Sequence, residues 1–292
     1  MQTKNYSFHI IAALCLSVLG AAPITALFYN ATPYSFLSFA LAAAVAISVA
    51  LIFSFCFPRD FSACHKGINK IFLMVFVVSG FLLCLLSALI TLKDFWRLSA
   101  KVLLPRAPEF ISLALILALL IYFGFAKREA FLKFCLIMLL PVSVTVVLLF
   151  CLSMPSMKLM NISVYSLPPV NKLSSHSLSY LLNIFVTATP SLILAHAVLP
   201  QIKKRTLLSG LLSGSLLLGI ILLQALLVLG SGINYFEFPY LSAVGTLTFG
   251  NLFTRLDGFV YFMFLICAAA KITVCINAAK YLLSLIKNKN SP

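Results

Sequence analysis

The chain has 292 residues, of which 62% are hydrophobic and 9% charged, with a mean hydropathy of +1.11. A soluble domain carries about 25% charged residues, so this composition excludes an ordinary soluble globular protein and points to a helical membrane protein. The formal net charge of +15 comes from 21 Lys and Arg against 6 Asp and Glu. These cations sit in short segments between apolar runs, where topology signals and contacts with anionic lipid lie, and that placement argues against nucleic-acid binding.

A spanning helix needs about 20 apolar residues, and about eight stretches reach or approach that length. The first, Ser7–Phe28, reads as a span and not a cleavable leader, because no clear small-residue cleavage site follows it. The second, Tyr34–Phe57, is rich in Ala and ends at Pro58-Arg59-Asp60. The third, Ile68–Leu92, is expected to continue as an amphipathic helix through Trp96 to Leu104. The fourth, Glu109–Ala126, follows Pro105 and Pro108, and the fifth, Ala130–Ser153, carries Pro141. The sixth is Leu178–Leu199. The seventh, Leu207–Gly230, carries Gly210, Gly214 and Gly219, small residues that let helices approach closely. Phe236–Phe253 is interrupted by Pro239, Gly245 and Gly250; it is expected to form a re-entrant or interfacial hairpin. The eighth is Gly258–Ile286. An N-terminus in the cytoplasm places most of the basic residues inside, among them Arg59, Lys66, Lys127, Arg128 and Lys203-Lys204-Arg205. The cysteines show no CxxC spacing and lie mostly within apolar runs, so they read as small buried hydrophobes.

Two of these runs are interrupted in the same way. The first contains Gly20-Ala21-Ala22-Pro23, and the sixth contains Thr187-Ala188-Thr189-Pro190. Proline lacks the backbone N–H and crowds the carbonyl four residues back. In a bilayer no water satisfies the freed groups, so such a segment must face protein or a polar cavity. Two interrupted helices in corresponding positions of two halves are the sequence pointer to a ligand site near the membrane midplane. Unwound turns here would offer free N–H groups and a helix dipole to a ligand carboxylate, with the Thr hydroxyls as further donors or acceptors. A proline kink packed among small residues, with Thr back-bonding onto freed carbonyls, is the alternative for the same residues.

Lys271 lies near the centre of the eighth run. A charge there costs about 2.5–3.5 kcal/mol on insertion scales and is a functional residue by default. A structural ion pair is the alternative. Asp257 stands at the head of the same run with Arg255 close by, as a helix cap or a gating pair. No nucleophile–base pair, metal-ligand spacing or phosphate loop is present in the sequence, so neither an enzyme nor a cofactor is expected.

Several short motifs have a familiar order. They are Leu104-Pro105-Arg106-Ala107-Pro108, Tyr122 with Lys127-Arg128-Glu129 and Lys133, Phe238-Pro239-Tyr240, Arg255-Leu256-Asp257-Gly258, Lys271-Ile272 and Asn277-Ala278-Ala279. Together they resemble the spore germination receptor B-subunit (GerAB-like) family, a branch of the amino acid–polyamine–organocation transporters. The resemblance covers the chain from Ser7 to about Leu285. It implies an all-α polytopic LeuT-like fold of two inverted repeats, with the first and sixth helices broken at the ligand site. The repeats would be 7–153 and an incomplete 176–286, a shortened second half without the family's ninth and tenth helices. It further implies a spore inner-membrane or cell-membrane subunit that binds a small germinant, often an amino acid, and signals through receptor A and C subunits. Lys271 would then take the place of a sodium ion beside the broken first helix. A secondary transporter of an amino acid or amine shares the same fold and site and is the alternative function.

Overall fold

The structure is a computed structural model. It describes residues 2–20, 35–56, 68–103, 127–161, 170–198, 204–246 and 257–287, with isolated positions between 114 and 122. The described residues are almost entirely helical and include no strand. In chain order the helices are α1 (Gln2–Leu19), α2 (Ser35–Cys56), α3 (Ile68–Leu98), α4 (Arg128–Ser153), α5 (Val170–Val198), α6 (Lys204–Leu229), the short α7 (Pro239–Gly245) and α8 (Asp257–Lys287). The expected fourth span falls almost wholly outside the described residues.

Among the described residues four helical segments are long and apolar enough to cross a membrane: Met74–Lys101, Arg128–Ser156, Arg205–Leu229 and Gly258–Leu285. Their burial separates them into two kinds. The most apolar window is 28% and 22% buried in α3 and α4, against 67% and 72% in α6 and α8. The outer helices turn large apolar side chains outward, among them Val75, Val78 and Leu82 on α3 and Ile137, Leu140 and Val144 on α4. Such continuous apolar exposure is the mark of a surface that meets lipid. The inner helices bury Gln224, Lys271 and Asn277, polar groups that lipid would not tolerate, and α3 buries Ser87, Thr91 and Asp94 on its inward face.

The packing is reciprocal. α1 makes its most extensive contact with α6, α5 with α2, and α3 with α8; α1 also packs on α4, α5 and α8. Glycines set the α1–α6 seam. A Cβ on Gly210 would stand 2.8 Å from Leu14 Cδ1, and one on Gly214 would stand 2.9 Å from Val18 Cβ. The register runs 210 to 14 and 214 to 18, so these two helices are parallel. α3 and α8 run antiparallel: Phe95 packs on Tyr261, with ring centroids 5.7 Å apart, while Gly80 lies under Leu282. α1 and α5 are also antiparallel, since Ser17 meets Ser191 while Ile10 and Leu14 meet Leu194 and Val198 around a shared cavity.

One expectation about helix limits is corrected. The expected break at Thr187-Ala188-Thr189-Pro190 is absent, and α5 is continuous from Val170 to Val198 with Pro190 inside it. A proline deletes one ladder bond and leaves the rest. Ala188, Thr189, Pro190 and Ser191 are buried, so the gap lies against protein and not lipid. Pro141 is carried inside α4 in the same way, and the carbonyl of Pro141 accepts a hydrogen bond from Thr145 Oγ1 at 2.8 Å. The third run continues beyond Leu92 as expected: α3 runs to Leu98 and closes with a π-helical turn at Ser99–Leu103.

The segment expected as a hairpin, Phe236–Phe253, follows a 3-10 turn at Gly230–Tyr235 and contains α7; its residues beyond Thr246 lie outside the described residues. Gly230 takes φ +56°, a conformation that favours glycine. Asn161 sits against it and donates from Nδ2 to the Leu227 carbonyl at 2.8 Å, fastening the end of α4 to the end of α6. On the exposed surface, Lys101 Nζ contacts both Glu237 carboxylate oxygens at 2.6 Å, tying the end of α3 to the turn before α7.

Candidate functional site

The site is built where α1 ends against α8. α1 stops at Leu19, and the Gly20 N–H donates to the Leu16 carbonyl at 2.8 Å. The last carbonyls of any helix lack intrahelical partners and carry partial negative charge. Gly20 is seated directly on α8: a Cβ there would stand 2.7 Å from the Cys267 carbonyl oxygen, 2.8 Å from Lys271 Cβ and 3.1 Å from Lys271 Cδ. The Lys271 side chain therefore runs along the C-terminal end of α1, and Lys271 is only 1% exposed. A cation beside a helix C-terminus is the favourable arrangement.

The second charge of the site lies on α3. Asp94 is 8% exposed and lies within the electrostatic field of Lys271, as well as that of Lys93 and Arg97 on its own helix. Sequence reasoning placed Asp94 in the amphipathic continuation of the third run and did not single it out. Helical spacing carries the signal: Ser87, Thr91 and Asp94 fall on one face of α3, and all three are buried. Thr91 Oγ1 folds back onto the Ser87 carbonyl at 2.8 Å, satisfying its hydroxyl within the helix. α8 presents Cys267, Lys271 and Cys275 at four-residue spacing, all buried. Thr273 and Asn277 on the same helix are satisfied locally, bonding the carbonyls of Ala269 at 2.8 Å and Thr273 at 3.0 Å. Among the described residues the one salt bridge is Lys101–Glu237, so Asp94 and Lys271 face each other without closing into a contact pair.

The end of α1 meets α5 next to Pro190 beside this centre. Ser17, one turn before Gly20, is hydrogen-bonded through its hydroxyl to that of Ser191, the residue after Pro190. On the N-terminal side of this bridge a cavity opens between α1, α4, α5 and α8, walled by Leu14, Leu132, Leu194, Val198 and Val274, with Ser191 its polar side chain.

Of the residues expected at the site, Gly20 and Lys271 are in contact, and Ala188, Thr189 and Pro190 are buried within helical α5. Thr187 is helical, and its side chain lies outside the described residues. Ala21, Ala22, Pro23 and Arg255 lie outside them as well, as does the side chain of Asp257, the first residue of α8. Cys15, Cys84, Cys135, Cys267 and Cys275 are buried free thiols, and Cys151 is exposed. Among the described residues no group of three His, Cys, Asp or Glu side chains is arranged to hold a metal ion.

Tyr240 on α7 packs against α8 at Phe264, with ring centroids 5.8 Å apart. It is buried, and its hydroxyl has no hydrogen-bond partner among the described residues. Burial pushes this phenol above its ordinary range. Comparison with known protein families, with curated proteins and with solved structures returned no match.

Proposed function

We propose that this chain is a membrane-embedded receptor subunit that binds a small solute between α1, α3, α5 and α8 and passes its occupancy to partner subunits. The observation that carries the reading is the buried Lys271 against the end of α1 at Gly20, in the electrostatic field of a buried Asp94 on the adjoining α3. Charged groups at this depth are costly to keep and mark a ligand or ion pathway.

The pairing of helices supports an inverted-repeat fold. If α1, α2 and α3 correspond to α5, α6 and α8, exchanging the halves turns the α1–α6 contact into α5–α2 and turns α1–α8 into α5–α3, and all four contacts are present. The exchange maps α1–α5 and α3–α8 onto themselves, and both of these pairs are antiparallel, as a twofold axis in the membrane plane requires. A LeuT-like arrangement with its ligand beside the first helix of each half follows from this reading.

Within it, the resemblance to germination receptor B subunits names the role: recognition of a germinant, with A and C subunits as partners in the spore inner membrane. Such a receptor requires a ligand that binds one conformation better than another. The test is the amino-acid-triggered germination of spores carrying Lys271→Met at normal protein level. The proposal expects a loss of sensitivity; an unchanged dose response across the amino-acid panel removes Lys271 from the site. Concentrative uptake of an amino acid by vesicles containing the chain alone would replace the receptor with the transporter.

A further inference from the structure

We propose that Asp94 and Lys271 are the two ends of one recognition slot, and that the solute it takes is a zwitterion whose ammonium meets Asp94 and whose carboxylate meets Lys271. This rests on the site proposed above and adds the residue that recognises the positive end.

The geometry gives three reasons. First, both residues are buried, on helices that pack against each other antiparallel. In a helix the Cα–Cβ bond tilts toward the N-terminus. With Phe95 level with Tyr261 and Gly80 level with Leu282, Asp94 starts nearer the membrane face at which α3 ends, and Lys271 starts deeper. On antiparallel helices the tilt then carries the two side chains toward each other, Asp94 toward Thr91 and Lys271 toward Cys267.

Second, the charges do not close on each other. Each feels the other's field, yet Lys101–Glu237 is the one salt bridge among the described residues. Asp94 also feels Lys93 and Arg97 on its own helix, but no cation closes on it. Buried charges without a contact partner are poorly compensated, and a solute carrying both signs in the matching order compensates Asp94 and Lys271 with one molecule. A solute with one charge answers only one end and leaves the other worse placed, so the arrangement selects against it.

Third, most of the neighbouring polar groups are spoken for. Thr91 bonds the Ser87 carbonyl, and Thr273 and Asn277 bond carbonyls of α8. The two charges, with the buried Ser87 hydroxyl that has no partner among the described residues, are therefore the groups with capacity to read a ligand. A lysine ammonium has three donors, enough to stay beside the end of α1 and still bind a carboxylate.

The experiment measures the melting temperature of the purified full-length chain in detergent. The probes are a panel of α-amino acids, each alongside its decarboxylated amine and its deaminated acid. The wild type should be stabilised by at least one amino acid more than by either of its single-charge analogues. Asp94→Asn should abolish the distinction between that amino acid and the deaminated acid. Lys271→Gln should abolish the distinction from the amine. Asp94→Glu, which keeps the charge, should restore the wild-type ranking. The inference is overturned, with the receptor reading left standing, if the wild type responds to an amino acid and both charge-removing variants keep its ranking or weaken every probe equally. If no probe shifts the wild type, both proposals fall.

Discussion

Gly20 and Lys271 occupy adjoining space so closely that the first carbon of any side chain at position 20 would stand 2.8 Å from Lys271 Cβ and 2.7 Å from the Cys267 carbonyl oxygen. The second neighbour is backbone and cannot rotate away. Gly20→Ala must therefore push the end of α1 off α8, an overpacking that costs about 1–3 kcal/mol. The thermal midpoint of the purified variant should fall. Gly232→Ala, where an added Cβ meets nothing within 4 Å, should leave it unchanged.

The α1–α6 seam makes a graded prediction. An added Cβ at Gly214 meets Val18 Cβ at 2.9 Å and Cys15 Cα at 3.2 Å, whereas one at Gly219 meets Phe39 Cε1 at 3.3 Å. A ring edge at that distance can yield by a few tenths of an ångström, and a backbone carbon cannot. Thermal unfolding should rank Gly214→Ala well below Gly219→Ala. Equal midpoints would contradict the close parallel packing of these helices.

At Gly230 two costs can be separated. Its φ of +56° is strained for alanine, by about 1–3 kcal/mol, and a Cβ there would stand 2.7 Å from Asn161 Cγ. Asn161→Ala removes that clash together with the bond to the Leu227 carbonyl. The double variant Gly230→Ala, Asn161→Ala should be less destabilised than the two single effects added together. Strict additivity in denaturation midpoints would show that the contact contributes nothing.

Asp94 and Lys271 should be thermodynamically coupled. Lys271→Met keeps much of the stem against Gly20 and removes a charge that costs about 2.5–3.5 kcal/mol at a helix centre, but it deprives Asp94 of its favourable neighbour. Asp94→Asn does the reverse. In a double-mutant cycle the pair should show a coupling on the order of 1 kcal/mol, the double variant being more stable than the sum of the singles. Additivity to within about 0.3 kcal/mol would place the two charges out of each other's reach.

Much of this arrangement was legible in the sequence because single residues violate the chemistry of lipid. Lys271 in an apolar run and the two prolines at 23 and 190 are such violations, and the hydropathy of the runs placed α1–α6 and α8 to within a few residues at most of their ends. Continuity was less legible. Pro190 was expected to unwind its helix, but whether a proline breaks a helix depends on what packs against the freed carbonyl, which composition does not record. Asp94 was missed because it falls in the amphipathic continuation of the third run, where charges are expected; only the phase relative to Ser87 and Thr91 distinguishes the buried member. Gln224, buried in a Leu-rich run and donating to the Leu149 carbonyl at 3.1 Å, joins α6 to α4 by a bond that no motif announces.

The most direct test of the account is whether the end of α1 and the proline turn of α5 meet. Ser17 and Ser191 touch through their hydroxyls, so Ser17→Cys combined with Ser191→Cys brings two thiols within bridging distance. In a background with the natural cysteines replaced, mild oxidation of the membrane-embedded chain should form an intramolecular disulfide, seen as loss of both free thiols in the monomer. Ser17→Cys paired with a cysteine at Leu178, which is exposed at the other end of α5, should form none. Two thiols that stay free at 17 and 191 after oxidation would contradict a shared centre for the two halves, and with it the site built around Lys271.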